Sequence, residues 1–335
     1  MSRPERLLFS IALCVSLSAS ADPAPKLGLP LDCAIPDTCQ IQNHFDHQPG
    51  PGFRDYACGH LGYDGHDGVD LRLPNLAVMA QGVPVLAAAA GRIRAVRDSM
   101  PDVSVREVGR RDTIRGQEAG NGVVISHGES WETQYSHMRR GSVRVRPGDR
   151  VVTGQVLGLV GLSGNTEFPH LHFEVRHEGR PVDPFVGLAR GDECAPGEAP
   201  LWDAAALAAL SYRPTGLLQA GFAGQAPDSR SVERGELDAT ELTDDVPVLV
   251  FWVEVFGVRM GDRETLQLVA PDGRVLAERQ ITLERNLARR FGYVGKKRPL
   301  LSWQRGEYRG RYRLLREEKG QTRTVLEVDR VLRVR

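Results

Sequence analysis

Phe168-Pro169-His170-Leu171-His172-Phe173-Glu174-Val175 reads as a β-strand, because apolar and aromatic residues alternate through it with period two. Residues i and i+2 of a strand share a face, so His170 and His172 point together while Leu171 turns to the core. Well upstream stands His66-Asp67-Gly68-Val69-Asp70. Gly68 and Val69 argue against a helix there. On a strand, His66 and Asp70 would also share a face. Two imidazoles and a carboxylate are a common protein ligand set for a zinc ion that keeps one position open. His137, in Tyr135-Ser136-His137, adds a third imidazole suited to acid or base work.

These stretches occur among others of the same kind: Gly82-Val83-Pro84-Val85, Gly91-Arg92-Ile93, Tyr135-Ser136-His137-Met138, Gly148-Asp149-Arg150-Val151 and Gly154-Gln155-Val156-Leu157-Gly158. In this order, with Gly65 to Asp70 before them and Pro169 to Glu174 after, the motifs resemble the lysostaphin-like zinc metallopeptidases. The resemblance covers roughly residues 62–187. It implies an all-β fold, an antiparallel strand sandwich called a duplicated hybrid motif. It also implies zinc on His66, Asp70 and His172, with His137 and His170 as general base, proton donor and oxyanion stabiliser. The implied reaction is cleavage of peptide cross-links of bacterial peptidoglycan by a metal-activated water. The alternative is a non-catalytic relative that binds cell wall or activates another hydrolase. Such relatives lack ligands, whereas all five residues are present here.

Composition narrows the setting. The 43 basic and 43 acidic side chains balance, which gives no support to nucleic-acid binding. Arg3 and Arg6 precede an apolar run at 7–17 that is too short to span a bilayer. Ala19-Ser20-Ala21 is a small-residue cleavage pattern, so residues 1–21 read as a signal peptide with cleavage near Ala21. No other stretch reaches transmembrane length, and the expected location is periplasmic or secreted. Beyond the signal remain Cys33, Cys39, Cys58 and Cys194, an even number that suits disulfides in an exported chain. Of the three pairings, Cys39 with Cys58 and Cys33 with Cys194 is the expectation, tying an N-terminal arm to the end of the catalytic domain.

A chain of 335 residues suggests two domains. Residues 22–61 form an arm whose prolines and Pro49-Gly50-Pro51-Gly52 predict irregular structure. His44, His47 and His60 lie in it as surface or packing residues, or at one end of the groove; His127 reads as structural. Within 62–187, strands are expected at 83–90, 91–97, 122–127, 133–137, 151–160 and 170–176. The polar insertion 98–121 folds over the groove, pairs with a partner that opens it, or stays solvated. Residues 188–212 read as a linker with a helix at 202–212. Residues 213–335 read as a smaller β-sandwich, immunoglobulin-like in a broad sense, with strands at 246–258, 265–270, 274–278, 308–316 and 322–334. Residues 285–335 hold 16 Lys or Arg against 5 Asp or Glu, a face that could dock cell wall or a protein regulator.

Overall fold

The computed structural model describes residues 24–107, 110–128, 130–189 and 193–335. The expected signal segment and its cleavage site lie outside the described residues. The fold is all-β, with only short helices. No helix among the described residues is long and apolar enough to cross a membrane.

Ten strands build the first half: β1 (Gln40–Asn43), β2 (Val69–Arg72), β3 (Pro84–Leu86), β4 (Gly91–Arg97), β5 (Asn121–Ser126), β6 (Trp131–Met138), β7 (Arg150–Val151), β8 (Val156–Leu159), β9 (His170–His177) and β10 (Arg180–Val182). One antiparallel sheet runs β1-β2-β9-β6-β5-β4-β7, with β10 also on β9, and β3 pairs β8 separately. Alternation is clearest in β5, where Val123 and Ile125 are wholly buried between half-buried neighbours. Leu171 and Phe173 of β9 are equally buried. Each such side chain contributes about 1.5–3 kcal/mol to holding the strand in register. The stretch expected as one strand at 151–160 is two, β7 and β8, separated by a turn that includes Gly154 at φ 79°. The strand expected at 83–90 shrinks to β3. Helix α1 (Leu76–Gln81), capped by the Asn75 side chain, is too short to leave a readable period.

The arm is largely irregular, as its prolines predict, yet it is built into the fold. It supplies β1 at the sheet edge, and Leu27, Leu31, Cys39, Ile41 and Tyr56 join the same core as Leu171 and Phe173. The insertion is also built in. It holds the short α2 (Arg110–Thr113) and a small cluster of Met100, Val105 and Ile114. Asp102 Oδ1 accepts from Leu162 N at 2.8 Å and its Oδ2 from Arg140 N at 3.0 Å. It borders the site rather than floating in solvent.

The expected helix at 202–212 is α3 (Ala204–Ala209), capped by Asp203. The second half holds β11 (Gly216–Ala223), α4 (Ser229–Arg234), β12 (Glu241–Leu242), β13 (Val248–Val258), β14 (Arg263–Val269), β15 (Val275–Thr282), β16 (Leu287–Lys297), β17 (Gly306–Glu318) and β18 (Gln321–Val334). A sheet β11-β13-β16 faces a sheet β12-β18-β17-β14-β15, and Phe251, Val253 and Val255 of the first pack with Leu266, Tyr312 and Leu332 of the second. β12 lies parallel to β18, so the sandwich is not wholly antiparallel. β17 carries part of the basic excess: Tyr308, Tyr312 and Leu314 point inward, while Arg309, Arg311 and Arg313 alternate outward. Those arginines meet Asp329 and Glu327 on β18. Three arginines thus share two carboxylates on this face, and regulator docking through it finds no support.

The disulfides differ from the expected pairing. Cys33 bonds Cys39 across the turn in which Thr38 N donates to Ala34 O, and Cys58 bonds Cys194. Asp55 Oδ1 accepts from Ala57 N and Gly59 N, which folds a tight turn that presents Cys58 to the far segment. The two links close sequence separations of 6 and 136 residues. Loop-closure entropy makes them worth about 2 and about 5 kcal/mol. Denaturant unfolding of the double serine variants is therefore expected to find Cys58/Cys194 the costlier loss, by roughly 2–3 kcal/mol. Equal losses would contradict this account.

Candidate metal centre

The site is set by one strand pairing. β2 runs antiparallel to β9 with Asp70 opposite His172 and residue 72 opposite His170. All four side chains share a face. His66 reaches the cluster differently from expectation. β2 begins only at Val69, and His66 sits in a preceding turn where its N donates to Tyr63 O at 3.1 Å. Gly68 makes the approach possible. A Cβ there would stand 2.6 Å from Phe173 O and 2.8 Å from the His172 ring. Here backbone crowding, rather than conformational freedom, requires glycine.

His66, Asp70 and His172 converge. His66 Nε2 lies 3.1 Å from Asp70 Oδ1 and 3.2 Å from His172 Nδ1, and His172 Nδ1 lies 2.9 Å from Asp70 Oδ1. Tetrahedral ligands at about 2.0–2.2 Å from zinc would stand about 3.4 Å apart, so the donor set fits such an ion with slight opening. Outer hydrogen bonds orient the donors. His66 Nδ1–H donates to His44 O at 2.7 Å, which leaves Nε2 as the lone-pair atom facing its partners. Asn43 Nδ2 donates to Asp70 Oδ2 at 2.8 Å and leaves Oδ1 for the cluster. Both outer groups come from the arm.

Burial opposes the Asp70 charge, but attraction from His66 and His170 and hydrogen bonds from His170 and His172 hold its carboxyl well below the usual range. For His172 burial favours the neutral ring, yet Asp67 and Asp70 push it up to about 10. In the metal-free protein His172 is thus a cation between two carboxylates.

His137 and His170 stand beside this trio, their ring centroids 4.6 Å apart. His137 has φ 61°, a left-handed conformation at which a residue with a side chain stores roughly 1–3 kcal/mol. Its N donates to Ala119 O and its Nδ1–H to Ser163 O at 2.8 Å, so the insertion and the loop after β8 fix the ring from both sides. Burial, then repulsion from His170 and His172, holds it well below its ordinary value. It is a neutral imidazole with Nε2 free to accept a proton. His170 Nδ1 lies 2.9 Å from Phe168 O and 3.0 Å from Thr166 Oγ1. Its Nε2 lies 3.5 Å from Asp70 Oδ1.

The other histidines stay out. His44 is buried against Tyr56 and Phe185, and its ring, desolvated, falls to about 4. His47 pairs with Asp183 at 2.7 Å, and His127 bridges Ala90 O and Thr133 Oγ1 as a structural residue. His60 is exposed beside Phe53. Sequence reasoning missed Asn43, Thr166 and Ser163, whose only signal is an ordinary polar residue near a motif.

A carboxylate and two imidazoles, flanked by two further imidazoles, form a candidate mononuclear metal centre suited to hydrolysis. Residues 64–184 match the model of Peptidase family M23. The cell division protein DipM of Caulobacter vibrioides is 32% identical over 131 residues, 37% of this chain and 18% of the relative. The peptidoglycan DD-endopeptidase ShyA of Vibrio cholerae is 45% identical over 65 residues, 19% of this chain and 15% of the relative. The DD-carboxypeptidase/endopeptidase Mpg of Neisseria meningitidis is 34% identical over 121 residues, 36% of this chain and 22% of the relative. The likeness thus spans less than a quarter of each of these relatives.

Asn43→Ala removes one outer hydrogen bond without touching a donor. Divalent metal titrated into that variant is expected to bind about tenfold more weakly, with unchanged stoichiometry. Unaltered affinity would mean that Asp70 is held without the arm.

Proposed function

We propose that the chain is an exported zinc endopeptidase that cleaves peptide cross-links of bacterial peptidoglycan. The observation that carries this reading is the convergence of His66 Nε2, Asp70 Oδ1 and His172 Nδ1 beside His137 and His170, within the M23 segment. The expected signal peptide and two disulfides support an oxidising location, periplasmic or secreted. Residues 62–187 are the catalytic unit in this reading, with 22–61 and 213–335 as its arm and accessory sandwich.

His66, Asp70 and His172 would hold the zinc, which when bound supplies a Lewis acid that acidifies water and polarises a carbonyl. The remaining work belongs to the chain. His137, neutral and with its Nδ1 proton given to Ser163 O, offers Nε2 as general base. His170, its Nδ1 proton given to Phe168 O, has Nε2 on the cluster side, where a second proton taken up by the ring during the reaction would let it donate to the leaving amine or to a developing oxyanion. Asp67, 3.4 Å from His172 Nε2, steadies that ring on its outer side. No nucleophilic serine or cysteine is needed: the four described cysteines are in disulfides.

His172→Ala is expected to lose the metal. His170→Ala should retain it and slow peptidoglycan digestion by about 10²–10⁴-fold. Metal content and released peptides, measured on the same preparations, test this, and the opposite pattern would reverse the roles.

The charge on metal-free His172 gives a second expectation. A ligand imidazole must be neutral, so zinc binding at pH 7 releases about one proton from a ring that otherwise keeps it up to about 10. Zinc affinity therefore rises with pH across the neutral range. Calorimetry in buffers of different ionisation heat measures the release, and no release would contradict the paired cation.

A further inference from the structure

The loop between β16 and β17 presents Pro299-Leu300-Leu301-Ser302 at one end of the second-half sandwich. Leu300 is 106% exposed and Leu301 88%, the two most exposed large hydrophobic side chains among the described residues. A single exposed leucine is ordinary, but an adjacent pair this bare marks a contact surface. The loop is tied down at its base. Arg298 N donates to Pro247 O and Trp303 N to Asp244 O, both at 2.9 Å. The buried Trp303 indole donates Nε1–H to Val246 O at 2.8 Å. Bonds on both sides thus hold the leucines out from the body of the sandwich.

Cations flank the leucines. Lys296 and Lys297 end β16, both exposed, and among the described residues neither forms an ion pair. Arg298 is exposed too, and gives Nη1–H to the Asp245 carbonyl rather than to a carboxylate. At a rise of about 3.4 Å per residue, all three lie within about 14 Å of Leu300 along the chain. The acids at this end are mostly matched: Asp244 pairs with Arg305, Glu241 with Arg335 and Asp272 with Arg274. Glu307 stands opposite Arg333 on the neighbouring strand. Asp245 remains, in the field of Arg298, so the rim of the tip stays cationic.

A bare apolar pair ringed by cations fits a lipid surface. Its convex shape needs no preformed cavity, a bilayer interior takes it in, and anionic headgroups lie where the cations are. A lone apolar insertion or a lone basic patch holds a protein only marginally on a bilayer, whereas the two together anchor it. We propose that residues 296–302 are a membrane-docking tip: Leu300 and Leu301 enter the acyl boundary of an anionic bilayer, and Lys296, Lys297 and Arg298 meet its headgroup phosphates. The place of the tip gives this docking a direction. β13 starts beside it, with Val248 opposite Lys297, and further along the same strand Phe256 packs with Leu61 of the first half. At about 3.4 Å per residue these two ends of β13 are about 27 Å apart. A tip in the bilayer therefore holds the half with the metal cluster off the lipid surface by about the length of the sandwich. The docking needs neither metal nor cleavage, so it stands or falls apart from the peptidase reading.

The test takes residues 22–335, which keeps the apolar run at 7–17 out of the measurement. They are sedimented with vesicles of equal parts phosphatidylglycerol and phosphatidylcholine, or of phosphatidylcholine alone. Wild type is expected to partition onto the anionic vesicles, more weakly as salt rises. Leu300→Ser/Leu301→Ser should weaken that partition about a hundredfold, at about tenfold per leucine. Lys296→Gln/Lys297→Gln should weaken it about twentyfold on anionic vesicles and leave phosphatidylcholine unaffected. All four side chains are exposed, so neither variant should shift the melting temperature. Wild type that stays in the supernatant with anionic vesicles overturns the proposal, as does a leucine variant that sediments as wild type does. A concentration-dependent dimer that the leucine variant abolishes, with no vesicle binding, overturns it too and makes the tip an interface between copies. Vesicle binding by a protein that leaves peptidoglycan intact supports the tip and refutes the proposed function instead.

Discussion

The register between β2 and β9 is the constraint on which the site depends. It places Asp70 beside His172 and Arg72 beside His170, so two ligand candidates, a proton-transfer candidate and a buried cation share a single face. A slip of one residue would turn all of them into the core and bring Leu171 out. Leu171 and Phe173, both fully buried, oppose that slip. So does Gly68, because Phe173 O passes where any larger residue would put its Cβ. Core packing and polar geometry are therefore fixed by one pairing.

Around it the molecule supplies supports from unrelated stretches. The arm reaches in with Asn43 and the His44 carbonyl. The insertion holds His137 through Ala119 and ties down the loop of Ser163 through Asp102. The second half meets the first through Leu61, Phe256 and Leu218, and through Gln40 Nε2 donating to Leu217 O. Groups that orient donors this way set tautomer and basicity as much as position.

The parts legible in the sequence are those where local periodicity and the structural constraint coincide. Period two placed His170 and His172 together because β9 is a regular strand. The identity of His66 was legible and its placement was not, since it follows the turn at Asp64-Gly65 and lies ahead of β2, where even spacing suggested a strand. The arm's role was hidden because prolines and glycines break up the spacing of Leu27, Leu31 and Ile41, which pack as one core only in three dimensions. β16 passed unnoticed because arginine and glycine interrupt its apolar residues. The cysteine pairing depended on where a turn points Cys58, a tertiary fact. Nothing in the sequence marked Arg72, which only its burial sets apart.

The donors of the cluster are far apart along the chain: His66 and His172 are separated by 106 residues. Contacts of such range form late, after the entropy of closing long loops has been met. Until β9 has docked between β2 and β6, the chain carries every ligand and no centre. Under the proposed function this delay would be protective, because a chain still unfolded would be inert by topology and competence would begin only once the sheet had closed.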